Sequence, residues 1–81
     1  MDDTTREALR AYAMLRTALA VVALDPARRA VATAYEEPLQ VLANEANAKM
    51  RAAGLIVGDG QLTVTPQQVE AMVREAGLQS L

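Results

Sequence analysis

The chain has 81 residues, a net charge of −2, no cysteine, no histidine and two aromatic residues, Tyr12 and Tyr35. Absence of Cys and His removes disulfides, thiolate chemistry, Cys-based zinc sites and the commonest general base, and the acidic balance gives the molecule as a whole no attraction for polyanions. A length of 81 predicts a single small domain, 1–81, whose core is modest and gains from close helix packing or a second copy of the chain.

Helical periodicity starts close to the N-terminus. Thr4 or Thr5 can cap a helix over about 5–24, with acids at Asp2, Asp3 and Glu7 beside its positive end and Asp2 four residues before Arg6. Ala8, Tyr12, Leu15, Leu19 and Val22 recur at steps of 4, 3, 4 and 3, so Tyr12, Leu15, Leu19 and Val22 are expected to form a core or dimer seam. Towards its end this helix is apolar all round, from Ala18 to Leu24, so one packing face cannot cover it. The uncharged run from Thr17 to Leu24 is much too short to span a bilayer, and the acidic N-terminus is unlike a secretory signal, so a cytoplasmic location is expected.

Asp25-Pro26 reads as an N-cap followed by proline at the first helical position. A second helix over about 26–36 follows, with Ala27, Ala30, Val31, Ala34 and Tyr35 on its apolar side. Arg28 and Arg29 lie at its start, where cations oppose the helix dipole, and so are candidates for binding an acidic partner. Pro38 then removes one backbone donor, although the apolar stripe stays in phase across it. Either one kinked helix runs from Pro26 to Ala53, or two helices over about 26–36 and 38–53 meet at Glu37. Glu36 and Glu37 are adjacent and point about 100° apart on a helix, which leaves them as solvated side chains rather than a catalytic pair.

The stretch from Pro38 to Ile56 carries the most information. Leu39, Leu42, Ala46, Met50 and Ala53 line one helical face, Glu45 can pair with Lys49, and Gly54 stands where a left-handed C-terminal cap belongs. On another side lie Gln40, Asn44, Asn47 and Arg51 at steps of 4, 3 and 4. Asparagine is a poor helix former, so this row, together with Arg28 and Arg29, forms the candidate partner-binding set. After Gly54, a β-hairpin is expected over about 55–57 and 61–65, turning at Gly58-Asp59-Gly60. Thr65-Pro66-Gln67-Gln68 has the order of a capping box and opens a last helix over about 66–76, with Val69, Met72, Val73 and Ala76 on its apolar face, a Glu70–Arg74 pair and Gly77 as its cap.

Lys49-Met50-Arg51-Ala52-Ala53-Gly54-Leu55-Ile56, followed by Gly58-Asp59-Gly60, Leu62-Thr63-Val64-Thr65 and Pro66, resembles the end of a winged-helix domain of the MarR-like kind. The resemblance covers residues 49–66 and implies a recognition helix that enters the major groove and a hairpin wing that touches phosphates. On that reading Arg51 and Lys49 are the matching basic positions, and Gln40, Asn44 and Asn47 the base readers.

The fold expected is mainly α with three to four helices and one small β-hairpin, winged-helix-like in shape. With no catalytic, metal-ligating or nucleotide-cradling set, no cofactor is expected and an enzyme is the least favoured class. A small, homodimeric protein-interaction module, acting on a larger protein as regulator, inhibitor or assembly factor, ranks first. A winged-helix-like DNA-binding regulator ranks second, because the net charge is acidic and the hairpin turn carries Asp59. No membrane partner is expected.

Overall fold

The computed structural model describes residues 1–24, 27 and 33–78. Among the described residues there are three helices, α1 (Asp3–Leu24), α2 (Thr33–Ala52) and α3 (Pro66–Glu75), and a two-stranded antiparallel hairpin of β1 (Ile56–Val57) and β2 (Gln61–Leu62) that packs beside α2. The expectation of a mainly α fold with one small hairpin holds.

Helix α1 starts two residues earlier than its threonines suggested. Asp2, rather than Thr4 or Thr5, is the cap: its Oδ1 accepts the Thr5 amide at 3.1 Å, and its carbonyl accepts the Arg6 amide at 3.0 Å. A carboxylate caps better here because it also meets the positive helix end. Hydrogen bonds from the Thr5 hydroxyl and then from its amide hold the Asp2 carboxyl below its ordinary range. The cap role takes up the carboxylate that the expected Arg6 pairing would have used.

Of the two arrangements expected for the next segment, one helix through Pro38 or two helices meeting at Glu37, the described residues show no break at Glu37. From Thr33 the helix runs through Pro38 without interruption to Ala52. Proline costs this helix one donor to the Ala34 carbonyl, but Glu36, Glu37 and Pro38 are all exposed, so water can serve the orphaned acceptor. The apolar stripe that stays in phase across Pro38 gives the continuous helix a single face to bury: Leu39 and Leu42 are half-buried, and Ala46 and Met50 are buried. The Asp25-Pro26 start lies outside the described residues.

Two helices end in the same way. Leu55 donates its amide to the Met50 carbonyl at 2.9 Å and Gly54 donates to Arg51 at 3.0 Å; Leu78 donates to Val73 and Gly77 to Arg74, both at 3.0 Å. This is the Schellman arrangement, which needs a left-handed residue after the helix, and Gly54 (φ 76°) and Gly77 (φ 69°) supply it. Met50-Arg51-Ala52-Ala53-Gly54-Leu55 and Val73-Arg74-Glu75-Ala76-Gly77-Leu78 are thus two uses of one stop signal. In each, the leucine after the glycine folds back, Leu55 into the core and Leu78 against it.

The hairpin is shorter than expected, with Ile56 opposite Leu62 and Val57 opposite Gln61. Thr63 extends it by donating its amide to the Leu55 carbonyl at 3.0 Å and its hydroxyl to the Gly54 carbonyl at 2.9 Å. The hydroxyl bond ties the far strand to the end of α2. Thr65 then caps α3 as its sequence predicts: its Oγ1 accepts the Gln68 amide at 3.1 Å, and its own amide donates to Gln68 Oε1 at 2.8 Å.

The core collects Ala8, Leu9 and Ala13 of α1, Met50 of α2, Leu55 after it, and Val69, Val73 and Ala76 on and just after α3. Leu9, Val69 and Val73 are its largest fully enclosed side chains, each worth about 1.5–3 kcal/mol of burial. Leu9 and Ala13 stand outside the expected seam of Tyr12, Leu15, Leu19 and Val22. Tyr12, Leu15 and Val22 of that seam are half-buried, whereas Leu19 is 48 % exposed. The reason is length. At about 1.5 Å per residue the 22-residue α1 extends about 33 Å and the ten-residue α3 only about 15 Å. Helix α3 packs where Leu9 and Ala13 are and cannot reach Leu19.

Candidate interaction surface

Among the described residues, no three Asp, Glu, His or Cys side chains gather into a group that could hold a metal ion, no helix is long and apolar enough to cross a membrane, and no polar or charged residue is buried. What α1 and α2 present to solvent is therefore where function has to be sought.

The polar row of α2 is real but internally paired. Gln40, Asn44, Asn47 and Arg51 are all exposed; Gln40 Nε2 donates to Asn44 Oδ1 at 2.9 Å, and Arg51 Nε donates to Asn47 Oδ1 at 3.2 Å. These i,i+4 bonds bring the four side chains together as two rungs on one face. They also give the asparagines a local role that helix propensity alone does not reveal. Glu45 and Lys49 pair at 3.1 Å as their spacing predicts. Arg28 and Arg29, the remaining candidates, lie outside the described residues.

A polar clip closes the other side of α1. Arg16 forms an ion pair with Glu70 of α3, its Nη1 donating to both carboxylate oxygens, and its guanidinium stands 5.7 Å from the centre of the Tyr12 ring. Glu70 thus turns to Arg16 instead of Arg74, the expected i,i+4 partner, because α3 crosses α1 at this point. Burial, followed by the nearby Glu70 charge, raises the Tyr12 hydroxyl pKa, with Arg16 opposing. All three groups remain part-exposed, so the clip orients α3 on α1 more than it stabilises the fold.

Among the described residues, exposed apolar side chains gather on the far half of α1. Past the reach of α3, Leu19, Val21 and Leu24 are 48 %, 42 % and 83 % exposed; Met14 on α1 and Val41 on α2 are open as well. Beside them is an open groove of about 520 Å³. Its floor is Ala13, Met14, Thr17 and Ala18, with Leu42 of α2, Leu78 and Arg10 around it. Thr17 Oγ1 is buried there without a hydrogen-bond partner. Met14, Val21 and Leu24 share the groove's side of α1, and Leu19 is on the opposite side; exposed apolar side chains concentrated on one element in this way mark a site of association. Met14, Val21 and Val41 were not among the expected site residues; the signal for α1 was the run from Ala18 to Leu24, apolar on every side. A second recess of about 350 Å³ lies between Tyr12, Ala46, Asn47, Met50 and the hairpin residues Ile56 and Leu62. Comparison of the chain with protein-family models, with curated proteins and with solved structures finds no match.

Proposed function

We propose that the chain is a small, non-enzymatic, homodimeric protein-interaction module of the cytoplasm, which regulates, inhibits or helps assemble a larger protein by binding it. The observation that carries this reading is the uncovered far half of α1, where Val21 and Leu24 stand in solvent next to an apolar groove and Leu19 stands in solvent on the opposite side. A helix that is apolar all round needs cover on more than one side, and among the described residues α2 is what covers this half of it. The polar row Gln40–Asn44–Asn47–Arg51 adds an exposed, hydrogen-bonding strip on α2, a suitable specificity surface for the larger protein.

The MarR-like alternative is supported by the order of its elements, α2 ending at Gly54 and passing straight into a hairpin. Electrostatics weighs against DNA binding. From Leu55 to Thr65 the only charged residue is Asp59, and a wing that touches phosphates needs cations. Affinity capture of the tagged chain from lysate, with and without nuclease, tests the choice. A stoichiometric protein that survives nuclease and high salt supports the module; DNA that nuclease removes makes the chain a DNA-binding regulator instead.

A further inference from the structure

We propose that the face of α1 running from Arg10 to Leu24 is a homodimer interface, on which α1 of a second copy lies antiparallel about a two-fold axis through Thr17. The inference rests on the interaction-module reading and names the occupant of its apolar face. Four observations select a second copy.

The stripe is close to symmetric about one residue, Met14 being three residues before Thr17 and Val21 four after, an offset of about 1.5 Å along the helix. Arg10, Met14, Thr17, Val21 and Leu24 recur at steps of 4, 3, 4 and 3, with Arg10 seven residues before Thr17 and Leu24 seven after. A two-fold axis there sets Met14 against Val21 of the other copy, apolar on apolar.

Its two halves are complementary in shape. On the near side of Thr17 the helix is the floor of the groove flanked by Leu42 and Leu78; on the far side Val21 and Leu24 project, with Leu24 83 % exposed. Antiparallel pairing lays the projecting half of each copy in the groove of the other, the reciprocity an isologous interface requires.

Thr17 itself lacks a partner. Its hydroxyl is enclosed without a hydrogen bond, although threonine in a helix has two accessible χ1 settings. The hydroxyl is enclosed within its own subunit, so it is the second χ1 setting that turns it to the axis, where one Thr17 hydroxyl can donate while its copy accepts.

Charge then chooses the direction. The last turn of α1 contains no basic residue, so no side chain of that turn offsets the partial negative charge of its carbonyl end. Antiparallel packing brings Arg10 of the second copy to that end, whereas parallel packing would set Arg10 against Arg10. The exposed row of α2 is left free on each subunit of the dimer.

Light scattering or sedimentation of the full chain, from about 1 to about 300 µM, tests the proposal, a range that brackets weak to moderate association. The mass should rise from 8.7 kDa toward twice that value. Met14→Glu and Val21→Glu, both at exposed positions, should remain monomeric with unchanged circular dichroism. The chain has no cysteine. Thr17→Cys should therefore give a disulfide-linked dimer on mild oxidation, well above a Val57→Cys control on the hairpin, since a bond needs Cα atoms within about 7 Å. A mass of 8.7 kDa throughout, a dimer indifferent to Val21→Glu, or Thr17→Cys linking no better than Val57→Cys would overturn it. A monomer that captures a foreign protein through this face refutes the second copy while leaving the module reading intact. A dimer whose lysate partner is DNA does the reverse.

Discussion

Replacing Leu9 and Leu19 with alanine, one at a time, tests how α1 is turned in the core. The two are ten residues apart on one helix, so the substitution is chemically the same and the local propensity change similar. Leu9 is completely enclosed among Ala8, Ala13, Val69 and Val73, whereas Leu19 is 48 % exposed beyond the end of α3. Leu9→Ala removes buried carbons and leaves a void, a loss of about 3–5 kcal/mol. A domain of this size holds only about 4–12 kcal/mol in total, and each kcal/mol moves the melting temperature by about 4–8 °C. The melt should fall by at least about 12 °C, or the protein should fail to fold. Leu19→Ala should cost less than about 1 kcal/mol, as surface-facing substitutions do. Thermal and urea unfolding followed by circular dichroism, at low protein concentration, read both. Equal losses, or a larger one at Leu19, would mean that the seam through Leu19 is the buried one and that the packing described is wrong.

Other consequences are open to the same assays. Gly54→Ala and Gly77→Ala place a side chain in a left-handed conformation with no atom within 4 Å of the new Cβ, so each should lose about 1–2 kcal/mol from backbone strain alone. Thr65→Ala removes the hydroxyl that accepts the Gln68 amide while leaving the residue-65 amide to donate to Gln68 Oε1, and should cost about 1 kcal/mol, visible as a lower urea midpoint. Glu70→Gln should change stability by less than about 1 kcal/mol, because Arg16 and Glu70 are each about a third exposed. It should still lower the Tyr12 pKa, by removing one of the charges that raise it, which an absorbance titration would detect. The Asp2 cap works while its carboxylate is ionised. With its folded pKa below the unfolded value, its contribution is present above the ordinary carboxylate pKa and fades as pH falls through the folded one, so wild type and Asp2→Asn should converge in strongly acid solution.

Some of this architecture is written in short stretches of sequence, and some is not. Thr65-Pro66-Gln67-Gln68, Gly54 and Gly77 were legible because caps are local: the groups that satisfy one another are within a few residues. The hairpin was legible for the same reason, though its paired strands are shorter than the alternation suggested. Orientation of α1 was hidden. Ala8, Leu9, Ala11, Tyr12, Ala13 and Leu15 are apolar on several sides, so periodicity admits more than one buried face, and the choice is made by the length of α3, far along the chain. The Arg16–Glu70 pair was hidden likewise, since its partners are 54 residues apart and a nearer partner, Arg74, was at hand for Glu70. At the candidate surface, the row Gln40–Arg51 is visible by spacing, but its pairing into two rungs is not, because spacing alone does not say which side chain bonds which. The uncovered half of α1 was foreshadowed by Ala18–Leu24, apolar on every side, without any indication of which residues would stay open.

The most direct test is capture of partners by the wild-type chain and by a chain carrying Asn44→Ala and Asn47→Ala, side by side, after nuclease treatment and at high salt. The wild type should retain a stoichiometric protein, since apolar contacts and neutral hydrogen bonds barely respond to salt, and the double variant, equally well folded, should lose it. Capture of nucleic acid that nuclease releases, or equal retention of the protein by the double variant, would contradict the interaction-module reading.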